Sequence, residues 1–180
     1  MEILDIYDAQ GRLTGRTHQR NTPLEAGEFC LAAVVVIYNR RGQILCTLRS
    51  PEKEVLPNTW ECPGGSALAG ETSLEGALRE LREETGIAAS PQEMQFLLRV
   101  RGNFSDGGEL LDLYALCRDI PAREVRLRPG ETVDARWFPL DQWEKKVRAG
   151  EIWAGAGTDG FFTAMRKLAD AAGKPMEKEW

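Results

Sequence analysis

The chain has 180 residues, 42% hydrophobic and 28% charged, the profile of one folded domain long enough to bury a substantial core. Its net charge of −5 excludes a general pull toward nucleic acid or an anionic membrane, so an anionic ligand must be held locally, by a metal or a few arginines. The acidic start, MEILDIYDAQ, lacks a signal-peptide pattern, and the longest apolar run, Cys30–Tyr38, is too short to span a bilayer. Cys30, Cys46, Cys62 and Cys117 are scattered without a CxxC pair, which fits reduced thiols in a cytoplasmic protein. His18 is the single histidine, which excludes any site built on two His ligands.

In chain order, Ile3–Tyr7 and Arg12–Thr17 read as two short strands around the turn DAQG, followed by a polar connection over Asn21–Gly27. Phe29–Tyr38, rich in β-branched residues, reads as a buried strand, and the turn NRRG joins it to Gln43–Arg49 as a hairpin. Ser50–Asn58 is a loop with two prolines. Trp60–Cys62 is a short strand that ends at Pro63-Gly64-Gly65, and a helix follows. Gln95–Arg101 and Glu109–Arg118 form a second hairpin around SDGG; Ile120–Gly130 is a loop and Asp134–Phe138 a strand. Asp141 is placed to cap a helix through about Ala149, and Thr158 or Asp159 to cap a last helix to about Ala172, with a mobile tail, GKPMEKEW, beyond. Trp153, Phe161 and Phe162 are expected in the core rather than as groups that stack on a ligand. No internal repeat or linker interrupts this order, so an α+β chain with a layered α/β/α arrangement is expected, its mixed sheet lying between helices. The expected organisation is a single domain over 1–180: an N-terminal hairpin extension at 1–27, a core at 28–150, and a C-terminal helix and tail at 151–180.

The helix after the glycines, in GETSLEGALRELREETG, carries the chemistry. Thr72-Ser73-Leu74-Glu75 is a capping box that starts the helix at Thr72, and Gly86 stands where a left-handed residue would end it. At about 100° per residue, Leu74, Ala77, Leu78 and Leu81 share an apolar arc. Glu80, Glu83 and Glu84 fall on the other side, with Gly76 leaving room for something to approach. Like charges at this spacing repel. A hard cation such as Mg²⁺, which prefers oxygen ligands and is often shared with phosphates, would relieve the repulsion. A solvated acidic face is the alternative, weakened by the lack of lysine partners one turn away.

The spacing Gly65, five residues, Glu71, seven residues, then Arg79-Glu80-Leu81-Arg82-Glu83-Glu84-Thr85-Gly86-Ile87 resembles the signature of the Nudix hydrolase superfamily at every specified position. That resemblance implies the Nudix fold and a metal-dependent hydrolysis of a diphosphate linked to a further group, with Mg²⁺ as cofactor and Mn²⁺ as a substitute. It implies Glu80, Glu83 and Glu84 as metal ligands, joined by the carbonyl of Gly64, with Arg79, Glu71 and Gly65 orienting them from behind. The general base varies across the superfamily: a helix glutamate or an acid from a late loop, for which Glu131, six residues before Trp137, is placed. Glu131 is equally readable as an exposed loop acid. Arg49, at the end of its strand, could hold substrate phosphate or lie on the surface; Trp60 could line the pocket or pack under the loop. The implied partner is a small-molecule diphosphate, with no nucleic acid or membrane partner, and a homodimer is compatible with the family.

The segments DIYDAQGRLTGR and RSP resemble a bacterial branch often compared with isopentenyl-diphosphate isomerase, which makes an isomerase the rival enzyme. Such a site would have histidine metal ligands and a cysteine acid. Here the isomerase-like cysteine position falls at Gly64, and His18 lies outside the signature. A non-catalytic binding module is the other rival, but such modules generally lose signature glutamates, and none is missing. The substrate markers about 15–17 residues beyond the signature are absent from the corresponding RGNF, Arg101 to Phe104, so the linked group is left open.

Overall fold

The computed structural model describes residues 2–104 and 107–173. Two strands, β1 (Ile3–Tyr7) and β2 (Leu13–Gln19), form the expected N-terminal hairpin. Then come β3 (Phe29–Tyr38), β4 (Gln43–Arg49), β5 (Trp60–Glu61) and β6 (Gly64–Ser66), followed by helix α1 (Ser73–Thr85). Next are β7 (Gln95–Phe104), β8 (Gly107–Cys117), β9 (Thr132–Pro139), α2 (Leu140–Arg148), β10 (Ile152–Trp153) and α3 (Asp159–Gly173). The expected mobile tail beyond Gly173 and part of the SDGG turn lie outside the described residues. Among those residues no helix is long and apolar enough to cross a membrane.

The sheet is mixed, as expected. β3 pairs parallel with β8 along its whole length, while β7–β8 and β4–β9 are antiparallel and β10 pairs parallel with β5. The β3–β4 hairpin pairs only at Ile37–Leu45 and Tyr38–Ile44. Beyond that point the strands diverge, and β3 takes β6 as its neighbour, from Ala32–Ser66 to Val34–Gly64. Gly64 and Gly65 therefore do not simply end the preceding strand, as their sequence suggests; they pair in one of their own. Gly64 is required there, because a Cβ would lie 2.3 Å from the Ala33 carbonyl oxygen, a backbone atom that cannot step aside.

β3 is buried on both faces, which explains its unbroken apolar sequence. Because side chains alternate along a strand, Ala33, Val35 and Ile37 pack with Ala77 and Leu81 of α1. Val34, Val36 and Tyr38 join Trp143 of α2 and Phe161, Phe162 and Met165 of α3 on the other face. This is the α/β/α layering. Trp143, Phe161 and Phe162 form an aromatic cluster with ring centroids 5.5–5.7 Å apart, so both phenylalanines are core residues as expected.

Helix α1 begins and ends where its local sequence says it should. The Thr72 hydroxyl accepts from the Glu75 amide at 3.2 Å, while the Glu75 carboxylate accepts from the Thr72 amide at 2.8 Å. Gly86 closes the helix at φ 70°, donating its N–H to the Arg82 carbonyl. Elsewhere the caps differ. Asp141 is not the α2 cap: Pro139 holds that position and Asp141 sits in the first turn, where its charge still favours the helix dipole. At α3 the Thr158 hydroxyl accepts from the Phe161 amide. The Thr72→Ala variant is expected to lose about 1 kcal/mol of stability through the broken cap, as measured by denaturant unfolding; an unchanged midpoint would show that tertiary packing alone fixes the start of α1.

Candidate active site

The outward face of α1 is less exposed than its acidic sequence suggests. Glu80 and Glu84 are buried, at 8% and 6% exposure, and only Glu83 projects into solvent. The glycine strand makes this burial possible. A Cβ on Gly65 would sit 2.7 Å from the Glu80 carboxylate. One residue back, the Gly64 amide donates to Glu84 Oε2 at 3.1 Å. Gly76 serves a different purpose from the one its sequence suggests. It leaves room not for a ligand but for the loop, since its Cα hydrogen already faces Ala67 closely enough to put a Cβ 3.2 Å from the Ala67 Cα.

Arg79 locks the arrangement. It donates from Nε and Nη2 to the two oxygens of Glu71 at 2.9 and 3.0 Å, from Nη2 to the Ser66 carbonyl at 2.9 Å, and from Nη1 to Glu80 Oε1 at 2.6 Å. One guanidinium thus joins the loop, the glycine strand and the helix. Glu71 also accepts from the Leu68 amide, and its hydrogen bonds with Arg79 hold its carboxyl below the usual range. Arg79 and Glu71 therefore occupy the orienting positions that the resemblance implies.

These carboxylates form one wall of a cleft of about 830 Å³. Glu80, Glu83, Glu84, Gly64, Gly65 and Glu131 all line it. Arg49 lines it too, but its Nη1 lies 3.0 Å from each oxygen of Glu61, and its Nε donates to the Val55 carbonyl. Glu131 is tied to Lys53 Nζ at 2.5 Å, and Glu83 to Arg128 Nη1 at 2.9 Å. Trp60 is a correction. It does not line the cleft, because its ring packs on Phe138 at 5.2 Å with the Arg136 guanidinium over it.

Several residues at or beside the cleft were not singled out from sequence: Glu61, which lines the adjoining pocket and pairs with Arg49, and Lys53, Arg128 and, after the N-terminal hairpin, Arg20, which line the cleft. Glu61 had one readable signal, a charged residue inside an apolar strand. Burial pushes its pKa up to about 7 despite the Arg49 guanidinium beside it. Glu84 is pushed up to about 8, first by burial and then by the negative charges of Glu61 and Glu80. The other three are surface cations whose position depends on distant parts of the chain.

Among the described residues, no three Asp, Glu, Cys or His side chains converge tightly enough to hold a metal as they stand, so the expected set of Glu80, Glu83, Glu84 and Gly64 is not assembled. The physical reason is visible in the ion pairs: Glu80 is turned toward Arg79 and Glu83 toward Arg128. The donor chemistry nevertheless fits a hard divalent cation. Every acidic group is an oxygen donor, and the buried Glu84 is disfavoured as a carboxylate by its burial and then by the negative charges of Glu61 and Glu80, which a cation would offset.

A NUDIX domain model matches residues 28–154. The chain belongs to the Nudix hydrolase family. It is 34% identical over 153 residues to an uncharacterized Nudix hydrolase of Listeria monocytogenes, covering 84% of this chain and 88% of that protein. Among solved structures it superposes on a Deinococcus radiodurans protein with a TM-score of 0.69 and 22% identity, covering 92% of this chain and 98% of the other. The Nudix domain of Shewanella oneidensis NrtR, solved with ADP ribose, superposes with a TM-score of 0.59 and 16% identity over 84% of this chain and 94% of that one. These neighbours establish the Nudix fold that the signature implied.

The isomerase reading finds no support in this Nudix site. Cys62 is buried in the core at 1% exposure, in the same cluster as Cys46. His18 stands on β2, beside Thr22.

The raised pKa of Glu84 has a consequence for stability. Its carboxyl is neutral in the folded state up to about pH 8, whereas in the unfolded chain it ionises near 4.5. The folded state is therefore favoured most below pH 4.5, and that advantage is lost as pH rises through about 8. In metal-free buffer the melting temperature should fall between pH 5 and 9, and Glu84→Gln should flatten the fall. Equal pH slopes for both proteins would show that Glu84 is not strained as a carboxylate.

Proposed function

We propose that this Nudix hydrolase is a Mg²⁺-dependent enzyme that cleaves the diphosphate linkage of a nucleoside diphosphate joined to another moiety, or of a related organic diphosphate. The observation that carries the reading is the pair of buried carboxylates, Glu80 and Glu84, seated against Gly64 and Gly65 in a cleft that also holds Arg20, Arg49, Lys53 and Arg128. Acidic groups in such a place suit a cation, and the cations around them suit phosphate.

Glu80, Glu83 and Glu84, with the Gly64 carbonyl, would hold the metal. A bound divalent ion supplies charge neutralisation at the phosphates and lowers the pKa of attached water. The chain's own part is positional. Arg79 and Glu71 hold Glu80 in place, and Gly65 keeps its side free of a Cβ. Glu83 and Arg128 are exposed and can separate when a cation competes for the carboxylate. The proton of the attacking water goes to a carboxylate of α1 or to Glu131, whose pairing with Lys53 keeps it at the cleft. The partner that the Nudix signature implies is a small-molecule diphosphate, and the scattered cysteines favour the cytoplasm as the compartment.

The test is hydrolysis of a panel of diphosphates with Mg²⁺, both nucleoside-linked and nucleoside-free, by the unaltered protein and by Glu83→Gln. At least one substrate should be turned over, with activity falling by more than about tenfold in the variant. Equal turnover by both proteins would remove Glu83 from the metal site, and no turnover of any diphosphate would contradict the assignment as a hydrolase of this class.

A further inference from the structure

A second cavity, of about 250 Å³, adjoins the carboxylate cleft. Arg20, Arg49, Val55, Gly64 and Gly65 line both, so the two are continuous. Their chemistry differs. The cleft is walled by charge, whereas the side pocket is walled largely by Ala32 and Val34 of β3, Leu111 of β8, Leu56 and Trp153. The volume is at the small end of ligand pockets, enough for a ring system and too little for a second nucleotide.

Two carboxylates line this pocket: Glu61, which is paired with Arg49, and Glu109 on β8, for which the described residues show no ion pair. Burial raises its pKa, and the charge of Arg20 opposes the rise; no hydrogen bond from the described residues contributes. Arg20 is itself paired with Glu2 at 2.5 Å. Glu109 is thus a hydrogen-bond acceptor facing a small, mostly apolar space that opens onto the place where a diphosphate would lie.

We propose that the side pocket seats the base of a nucleoside diphosphate substrate, and that Glu109 selects bases with an exocyclic amino group by accepting a hydrogen bond from it. The proposal rests on the hydrolase reading above. A planar ring fills an apolar slot beside Trp153 well. An alkyl group would fill it too, but would cover the Glu109 carboxylate without giving it a partner, which is costly for a buried polar group. Adenine, guanine and cytosine carry amino donors, whereas uracil and thymine present carbonyl oxygens at the equivalent positions. Those oxygens would face the acceptor oxygens of Glu109. The discrimination belongs to the ionised Glu109, which only accepts; a protonated carboxyl would turn an O–H toward the uracil oxygen, so the preference should be strongest where Glu109 is a carboxylate.

Two measurements test this. The first is equilibrium binding of AMP, GMP, CMP and UMP in EDTA to the unaltered protein, Glu109→Gln and Glu109→Leu, each checked for an unchanged melting transition. At least one amino-bearing nucleotide should bind about tenfold or more tightly than UMP. Glu109→Gln should narrow the gap, because its amide can turn a donor toward uracil, and Glu109→Leu should abolish it. The second is kcat/KM with Mg²⁺ for ADP-, GDP-, CDP- and UDP-glucose, which share one leaving group; the same order and the same response to Glu109→Gln are expected. UMP binding as tightly as the others, or a preference unaffected by either substitution, overturns the proposal. The two readings fail separately. Glu109-dependent preference in binding with no hydrolysis of any diphosphate removes the hydrolase reading and leaves the pocket assignment. Hydrolysis confined to diphosphates without a nucleoside does the reverse.

Discussion

The contact between the glycine strand β6 and the carboxylates of α1 is the constraint on which the site depends. Gly64 must lack a side chain to lie against β3, and Gly65 must lack one for Glu80 to lie against it. Once both are in place, Glu80 and Glu84 are taken out of water without being taken out of reach of the cleft. Burial favours the neutral form of Glu84. Glu80 accepts from the Arg79 guanidinium, whereas Glu84 accepts only from a backbone amide among the described residues. The helix thus holds negative charge that the fold leaves partly uncompensated, a condition that a divalent cation would relieve.

The rest of the fold brings this contact to one end of the sheet. β3 is the central element: one face carries α1, the other carries α2 and α3, and β6 and β8 pair with it on either edge. Its two buried faces keep α1 rigid relative to β6. The opposite side of the cleft comes from less regular parts of the chain, including the loop with Lys53 and Val55 and the end of the N-terminal hairpin with Arg20. The carboxylates are therefore set in rigid elements, and the cations that would meet a phosphate are set in loops, which suits the division between a common chemistry and a variable substrate.

The parts legible in the sequence are those governed by local rules. The ends of α1 follow from a capping box and a left-handed glycine, each decided within four residues. β3 and β4 follow from runs of β-branched residues bounded by turn residues. The spacing from Gly65 to Gly86 was enough to bring Glu71, Arg79 and the three glutamates together as a candidate site. What the sequence hid was decided by partners far along the chain. β6 and β10 are too short to show a period and exist because β3 and β5 are there to pair with them. The sequence left Trp60 open between lining the pocket and packing beneath the loop, and its contact with Phe138, from a distant strand, decides for packing. The pairing of Arg49 with Glu61, of Lys53 with Glu131 and of Glu83 with Arg128 spans 12, 78 and 45 residues, so no local pattern could reveal it.

The central claim is that the α1 carboxylates and Gly64 form a divalent-cation site. Crystals soaked with Mn²⁺ and measured at its absorption edge test it most directly. The account predicts an anomalous peak beside Glu80, Glu83 and Glu84, with Glu83 released from Arg128. A peak elsewhere in the cleft, or none at a concentration that supports hydrolysis, would contradict it.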